Sequence, residues 1–128
     1  MGLETVLARL RTSDIKVAVL GDTSLPGTNV PFCLSKAEWK RGRAADSCEF
    51  DRENSKRKIF DFEESAVVRK FTGVKYIRTN KIVCPTARCP VTQHGIIVYS
   101  DSNHLSATMS RHLGKKLADY LEPLFELP

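Results

Sequence analysis

The sequence has 128 residues, one domain's worth of chain, which excludes a multidomain enzyme. Hydrophobic residues make up 41% and charged residues 27%, an ordinary globular balance that excludes a disordered tail. Twenty Lys+Arg against fifteen Asp+Glu leave a net charge of +5, which admits an anionic partner without naming one.

The chain opens without a charged, apolar and small-residue leader, so no signal peptide is expected in it. Leu3, Val6, Leu7 and Leu10 recur at helical spacing and predict an amphipathic helix over residues 3–12. Ile15 to Leu20 is a compact run with β-branched residues, broken by Gly21-Asp22, and reads as a buried strand. Ser, Pro, Gly and Asn between Thr23 and Asn29 mark a loop. That loop is expected to run on through Pro31 and Cys33 toward Cys48, with one helical turn near Ala37 to Lys40.

A longer helix is predicted from Asp51 to Phe71, its apolar stripe formed by Ile59, Phe62, Ala66 and Val67, with Gly73 as its stop. Val74 to Arg78 reads as a second strand, and Ile96 to Tyr99 as a third strand or extended segment. The spacing of Leu105, Met109, Leu113, Leu117, Leu121 and Leu124 predicts a last helix, with Ser102 or Asn103 as its N-cap. Helix and strand alternate, which implies a layered α/β fold with parallel strands. Runs such as Val17–Leu20 and Ile96–Tyr99 are far too short to cross a bilayer. Three strands make a thin sheet, and the opening helix is expected to follow a strand outside this sequence.

Basic residues gather at Lys40, Arg41 and Arg43, at Arg52, Lys56, Arg57 and Lys58, and at Lys115 and Lys116. The middle group lies among Asp51, Glu53, Asp61, Glu63 and Glu64, so it reads as a solvated face. Nucleic-acid binding ranks last, since no recognition motif or aromatic interleaving accompanies the charge. The cysteines, Cys33, Cys48, Cys84 and Cys89, are even in number and contain no C-x-x-C, so zinc spacing is missing. Cys84 to Cys89 is short enough for its own bridge, and Cys33 with Cys48 would then close a longer loop. Two such disulfides imply an oxidising compartment; four buried thiols in a cytosolic protein are the alternative. His94 and His112 lack a partner at ligand spacing and are expected to face solvent. Trp39 is expected to pack over the long loop, and Tyr76 and Tyr99 to sit in strands.

The most informative stretch runs from Gly95 to Ser106. An extended segment ends in a polar loop, with Asp101 and His104 three residues apart where the last helix begins. This spacing lets the carboxylate hold one ring nitrogen and leaves the other as a base, the orienting half of a Ser-His-Asp triad. A helix-capping aspartate beside an exposed histidine accounts for the same pattern alone.

Asp101-Ser102-Asn103-His104-Leu105-Ser106 resembles the last block of the SGNH hydrolases, D-x-x-H-L-[ST], which supplies a triad's Asp and His. The segments Val17 to Leu34, Val83 to Pro90 and Ile97 to Ser110 resemble one branch of that family, the SGNH domain fused behind family-three membrane acyltransferases. The resemblance implies a three-layer, parallel-sheet, flavodoxin-like α/β fold, here the C-terminal part of an SGNH domain over residues 1–128. It implies acyl transfer or ester hydrolysis on cell-surface carbohydrate, at the extracytoplasmic face of a bacterial membrane, with a membrane acyltransferase domain as partner. His104 would be the general base and Asp101 its orienter, and Cys33–Cys48 and Cys84–Cys89 would be disulfides. No cofactor or metal is expected.

The family's G-D-S nucleophile block and its oxyanion-hole Gly and Asn find no counterpart here. Gly21-Asp22-Thr23-Ser24 follows an apolar strand as a G-D-S block does, but it carries an extra Thr and follows a helix. It reads as a strand-ending turn, so the chain is expected to be inactive alone. The rival reading is a non-catalytic extracytoplasmic module whose basic face binds anionic polymer or a membrane partner.

Overall fold

In a computed structural model the described residues are 2–40, 47–52 and 58–125. Helix α1 (Gly2–Arg11) and strand β1 (Val17–Leu20) fall where the hydrophobic pattern puts them. Strand β3 (Val74–Ile77) pairs with β1 in parallel register, Val17 opposite Val74 through Leu20 opposite Ile77. Helix α3 (Lys58–Val68) forms the crossover between them, and Gly73 closes its exit at φ 85°. The predicted helix is therefore shorter than Asp51–Phe71, and residues 53–57, with Lys56 and Arg57, lie outside the described residues. The Ile59 side chain also lies outside them. Phe62, placed in the apolar stripe, is exposed, whereas Val67 and Val68 are buried against Leu7 of α1.

Residues 30–36, expected as loop, join the helical turn expected near Ala37 in one helix, α2 (Val30–Trp39). Asn29 caps it, its side chain accepting the Phe32 N–H at 2.9 Å, and Pro31 occupies the first turn, where its missing N–H costs nothing. Trp39 at its end is 89% exposed and covers no described loop. Asp51, expected to begin the long helix, instead ends strand β2 (Phe50–Asp51), antiparallel to β4 (Arg88–Cys89). A short helix α4 (Thr79–Val83) lies between β3 and β4.

Ile96 to Tyr99 is not a third parallel strand. Its first two residues, β6 (Ile96–Ile97), make a tight hairpin with β5 (Thr92–Gln93), and Tyr99 pairs singly with Leu105. Among the described residues, the parallel sheet therefore has two strands. The last helix, α5 (Ala107–Phe125), begins after its predicted start, and its cap is Ser106, not Ser102 or Asn103. The Ser106 Oγ accepts the Met109 N–H at 3.1 Å and donates to the Ile97 carbonyl at 2.6 Å. Among the described residues, no helix is long and apolar enough to cross a membrane.

Two apolar clusters organise the molecule. One joins α1 and α3 to a face of the parallel pair, around Leu7, Val67 and Val68. The larger lies away from that pair, where Val30, Val83, Val91, Val98, Tyr99, Met109 and Leu113 are almost fully buried. Both disulfides form as expected, Cys33–Cys48 and Cys84–Cys89. Cys48, Cys84 and Cys89 are buried, so the bridges tie α2, β2 and β4 around this second core.

Candidate active site

Residues 98–106 form a loop closed on itself at several levels. Tyr99 bridges Leu105, the Ser106 N–H donates to the Val98 carbonyl, and the Ser100 N–H donates to the His104 carbonyl, the last two at 2.9 Å. From outside, the Val30 N–H reaches the Asp101 carbonyl at 3.4 Å, and the buried Tyr99 hydroxyl donates to the Ser24 carbonyl at 2.9 Å. The loop is thus held by α2 and by the segment after β1.

Closure of the loop brings Asp101 and His104 together. The imidazole Nδ1 lies 2.7 Å from Asp101 Oδ2. The other carboxylate oxygen, Oδ1, accepts the Asn103 N–H at 2.8 Å and the His104 N–H at 2.7 Å. A short acidic side chain folding back on the following backbone is a common turn device. Here the same device orients an imidazole. The two backbone donors, and then His104, hold the Asp101 carboxyl down to about 2 from its ordinary 3.8. Asp101 is therefore an acceptor-only carboxylate, so Nδ1 carries the hydrogen toward it, and in the neutral imidazole Nε2 carries the lone pair. His104 is 71% exposed, which leaves that second nitrogen accessible.

Because the backbone donors outrank the imidazole, His104→Ala should leave Asp101 well below 3.8, only slightly above its native value. A ¹³C carboxyl titration checks this, and a midpoint restored to 3.8 would contradict it. The depressed value also fixes the sign of the pH effect. The loop's stabilisation by this carboxylate is complete above about pH 4 and is lost as pH falls through about 2.

A cavity of about 390 Å³ adjoins the dyad loop, lined by Leu25, Pro26, Gly27, Phe50, Asp51, Ser102 and Asn103. It touches the two residues between the dyad partners but neither partner itself. The Ser24 residue beside it is 3% exposed. Sequence reasoning found the dyad but not the wall that Phe50 and Asp51 supply, because a two-residue strand has no readable period. It also assigned no role to Ser106, although a Ser just before a periodic helix is a cap signal.

His112 does not face solvent as expected. Its Nε2 is buried, and its ring lies 5.4 Å from that of His94, which is itself exposed. Tyr76 does sit in a strand, in β3, with its hydroxyl 2.8 Å from Asp61 and filling the space over Gly21. Burial, reinforced by Asp61 and Glu64, pushes that phenol far up.

The family model described as "SGNH domain (fused to AT3 domains)" matches residues 1–119. The chain belongs to this family of SGNH domains, whose role is related to acyl-ester hydrolysis and acyl transfer. No curated protein and no solved structure gave a match.

Proposed function

We propose that this chain supplies the base and its orienter to an SGNH acyl-transfer site acting on acyl esters of cell-surface carbohydrate. The observation that carries this reading is the 2.7 Å pairing of His104 Nδ1 with a carboxylate pinned by two backbone N–H groups. In the reaction, His104 Nε2 would take the proton of a serine hydroxyl as that oxygen attacks the acyl carbonyl. Asp101 would stabilise the imidazolium so formed, and the proton would pass to the departing alcohol.

The serine is expected from outside these 128 residues. Ser24 is buried, and its carbonyl is held by Tyr99, which suits a structural turn better than a nucleophile. The family's fusion to AT3 domains supports a membrane acyltransferase as the partner domain. Two disulfides support an extracytoplasmic location. The parallel β1–β3 pair, with α1 and α3 packed on it and the Lys75 ammonium bonded to the Tyr120 carbonyl of α5, suits a three-layer α/β fold.

The basic face behind the rival binding-module reading falls largely on Arg41, Arg43, Lys56 and Arg57, which lie outside the described residues.

Two measurements test the proposal. Long-range ¹H–¹⁵N NMR should find His104 as the Nδ1–H tautomer, with that preference lost in Asp101→Asn; an Nε2–H tautomer would remove the base. Treatment of the folded chain with a fluorophosphonate should leave Ser24 unlabelled. A Ser24 adduct that disappears in His104→Ala would instead reveal a complete triad within this chain.

A further inference from the structure

His94 and His112 are eighteen positions apart and share no sequence motif, yet the fold places their rings 5.4 Å apart at a tilt of 41°. His94 occupies the turn of the β5–β6 hairpin, and His112 lies in α5. Two features single the pair out. Among the described residues, the His112 Nε2 is buried without a hydrogen-bond partner, which a bound water or ion would supply. His94 holds φ 51° and Gly95 φ 74°, a turn in which both central residues are left-handed. Asn-Gly is the favoured pair for such a turn, so a histidine there keeps its ring at some conformational cost.

We propose that His94 and His112 bind one divalent transition-metal ion of the imidazole-preferring kind, such as zinc. Two imidazoles on a tetrahedral zinc, each with a bond of about 2.0–2.1 Å, have ring centroids roughly 5 Å apart. The observed spacing needs little adjustment to reach that value. Zinc, copper and nickel all suit imidazole nitrogen, and calcium and magnesium do not. Among the described residues no third Cys, His, Asp or Glu completes a cluster, so water fills the remaining positions.

The consequence is structural. The hairpin leads directly into Val98 and the dyad loop, and α5 leads directly out of it. An ion between them clamps the two arms of the loop that carries Asp101 and His104. This inference does not depend on the acyl-transfer reading.

Calorimetric titration of the folded chain with zinc chloride in a non-chelating buffer tests it. One ion should bind per chain, and the thermal midpoint should rise with zinc. His94→Asn keeps a residue suited to the left-handed turn and removes one ligand. It should weaken binding by about tenfold or more and abolish the rise in midpoint. His104→Ala should change neither. Failure of zinc to bind the native chain would overturn the proposal, as would equal binding by His94→Asn. Binding lost in His104→Ala would overturn it too, by placing the ion at the dyad.

Discussion

Cys33→Ser combined with Cys48→Ser will destabilise the chain by about 3 kcal/mol, the largest effect expected of either disulfide. The two cysteines are 15 positions apart, whereas Cys84 and Cys89 are 5 apart. A bridge chiefly restricts the unfolded chain, and the restriction grows with the loop it closes, so losing the shorter one costs only about 2 kcal/mol. For a domain of this length, the larger loss lowers the thermal midpoint by on the order of 10 °C. The longer bridge also has a local consequence. It ties α2 to the segment leading into β2, where Phe50 and Asp51 form one wall of the cavity beside the dyad. Thermal unfolding of the two double variants checks the order of the effects. A larger loss from Cys84→Ser with Cys89→Ser would show that packing around the buried sulfurs outweighs chain restriction.

The parts legible in the sequence are those with a period long enough to read. α1 and α5 bury residues at helical spacing, Leu7 in the first and Met109 and Leu113 in the last, whereas β1, read as a buried strand, is only half-buried and leaves Leu20 exposed. α2 was hidden because only Val30 along it is fully buried, with Cys33, Leu34 and Ala37 partly covered, so no strong stripe forms. Its start signals, Asn29 and Pro31, serve a loop equally well and do not by themselves mark a helix.

β2, β4, β5 and β6 are two residues long and exist through their partners. Only β6 falls inside a run the sequence shows, Ile96 to Tyr99, and no local pattern announces the other three. The dyad was legible because its partners lie three residues apart, within reach of each other in a single turn of chain. The cavity wall and the His94–His112 pair depend on segments brought together by the tertiary fold. Local spacing carries no trace of either. Phe62 erred in the other direction, since helical spacing identifies a face but not whether a neighbour covers it.

Tyr99 is where the core and the dyad meet, and substituting it in two ways separates their contributions. Its side chain is fully buried, its ring packs edge-on to Phe50 at 5.8 Å, and its hydroxyl donates to the Ser24 carbonyl. Burial pushes the phenol well above its ordinary range, so it is a hydrogen-bond donor at neutral pH. Tyr99→Phe removes the hydrogen bond alone and leaves a carbonyl unpaired, for an expected loss of about 1–2 kcal/mol. Tyr99→Ala also empties the ring's place in the larger core, for about 3–5 kcal/mol.

The two variants should differ more sharply at the dyad than in stability. Tyr99 pairs with Leu105 across the base of the loop, and the ring anchors that pair to the core. With Phe in place the anchor remains, and the Asp101 carboxyl should still titrate at about 2. With Ala the base loosens, the Asn103 and His104 N–H groups drift from Oδ1, and the midpoint should climb toward 3.8. A ¹³C titration of both variants reads this directly. An Ala variant that still titrates at about 2 would mean that the aspartate's turn with Asn103 and His104 holds itself, independent of the core beneath it.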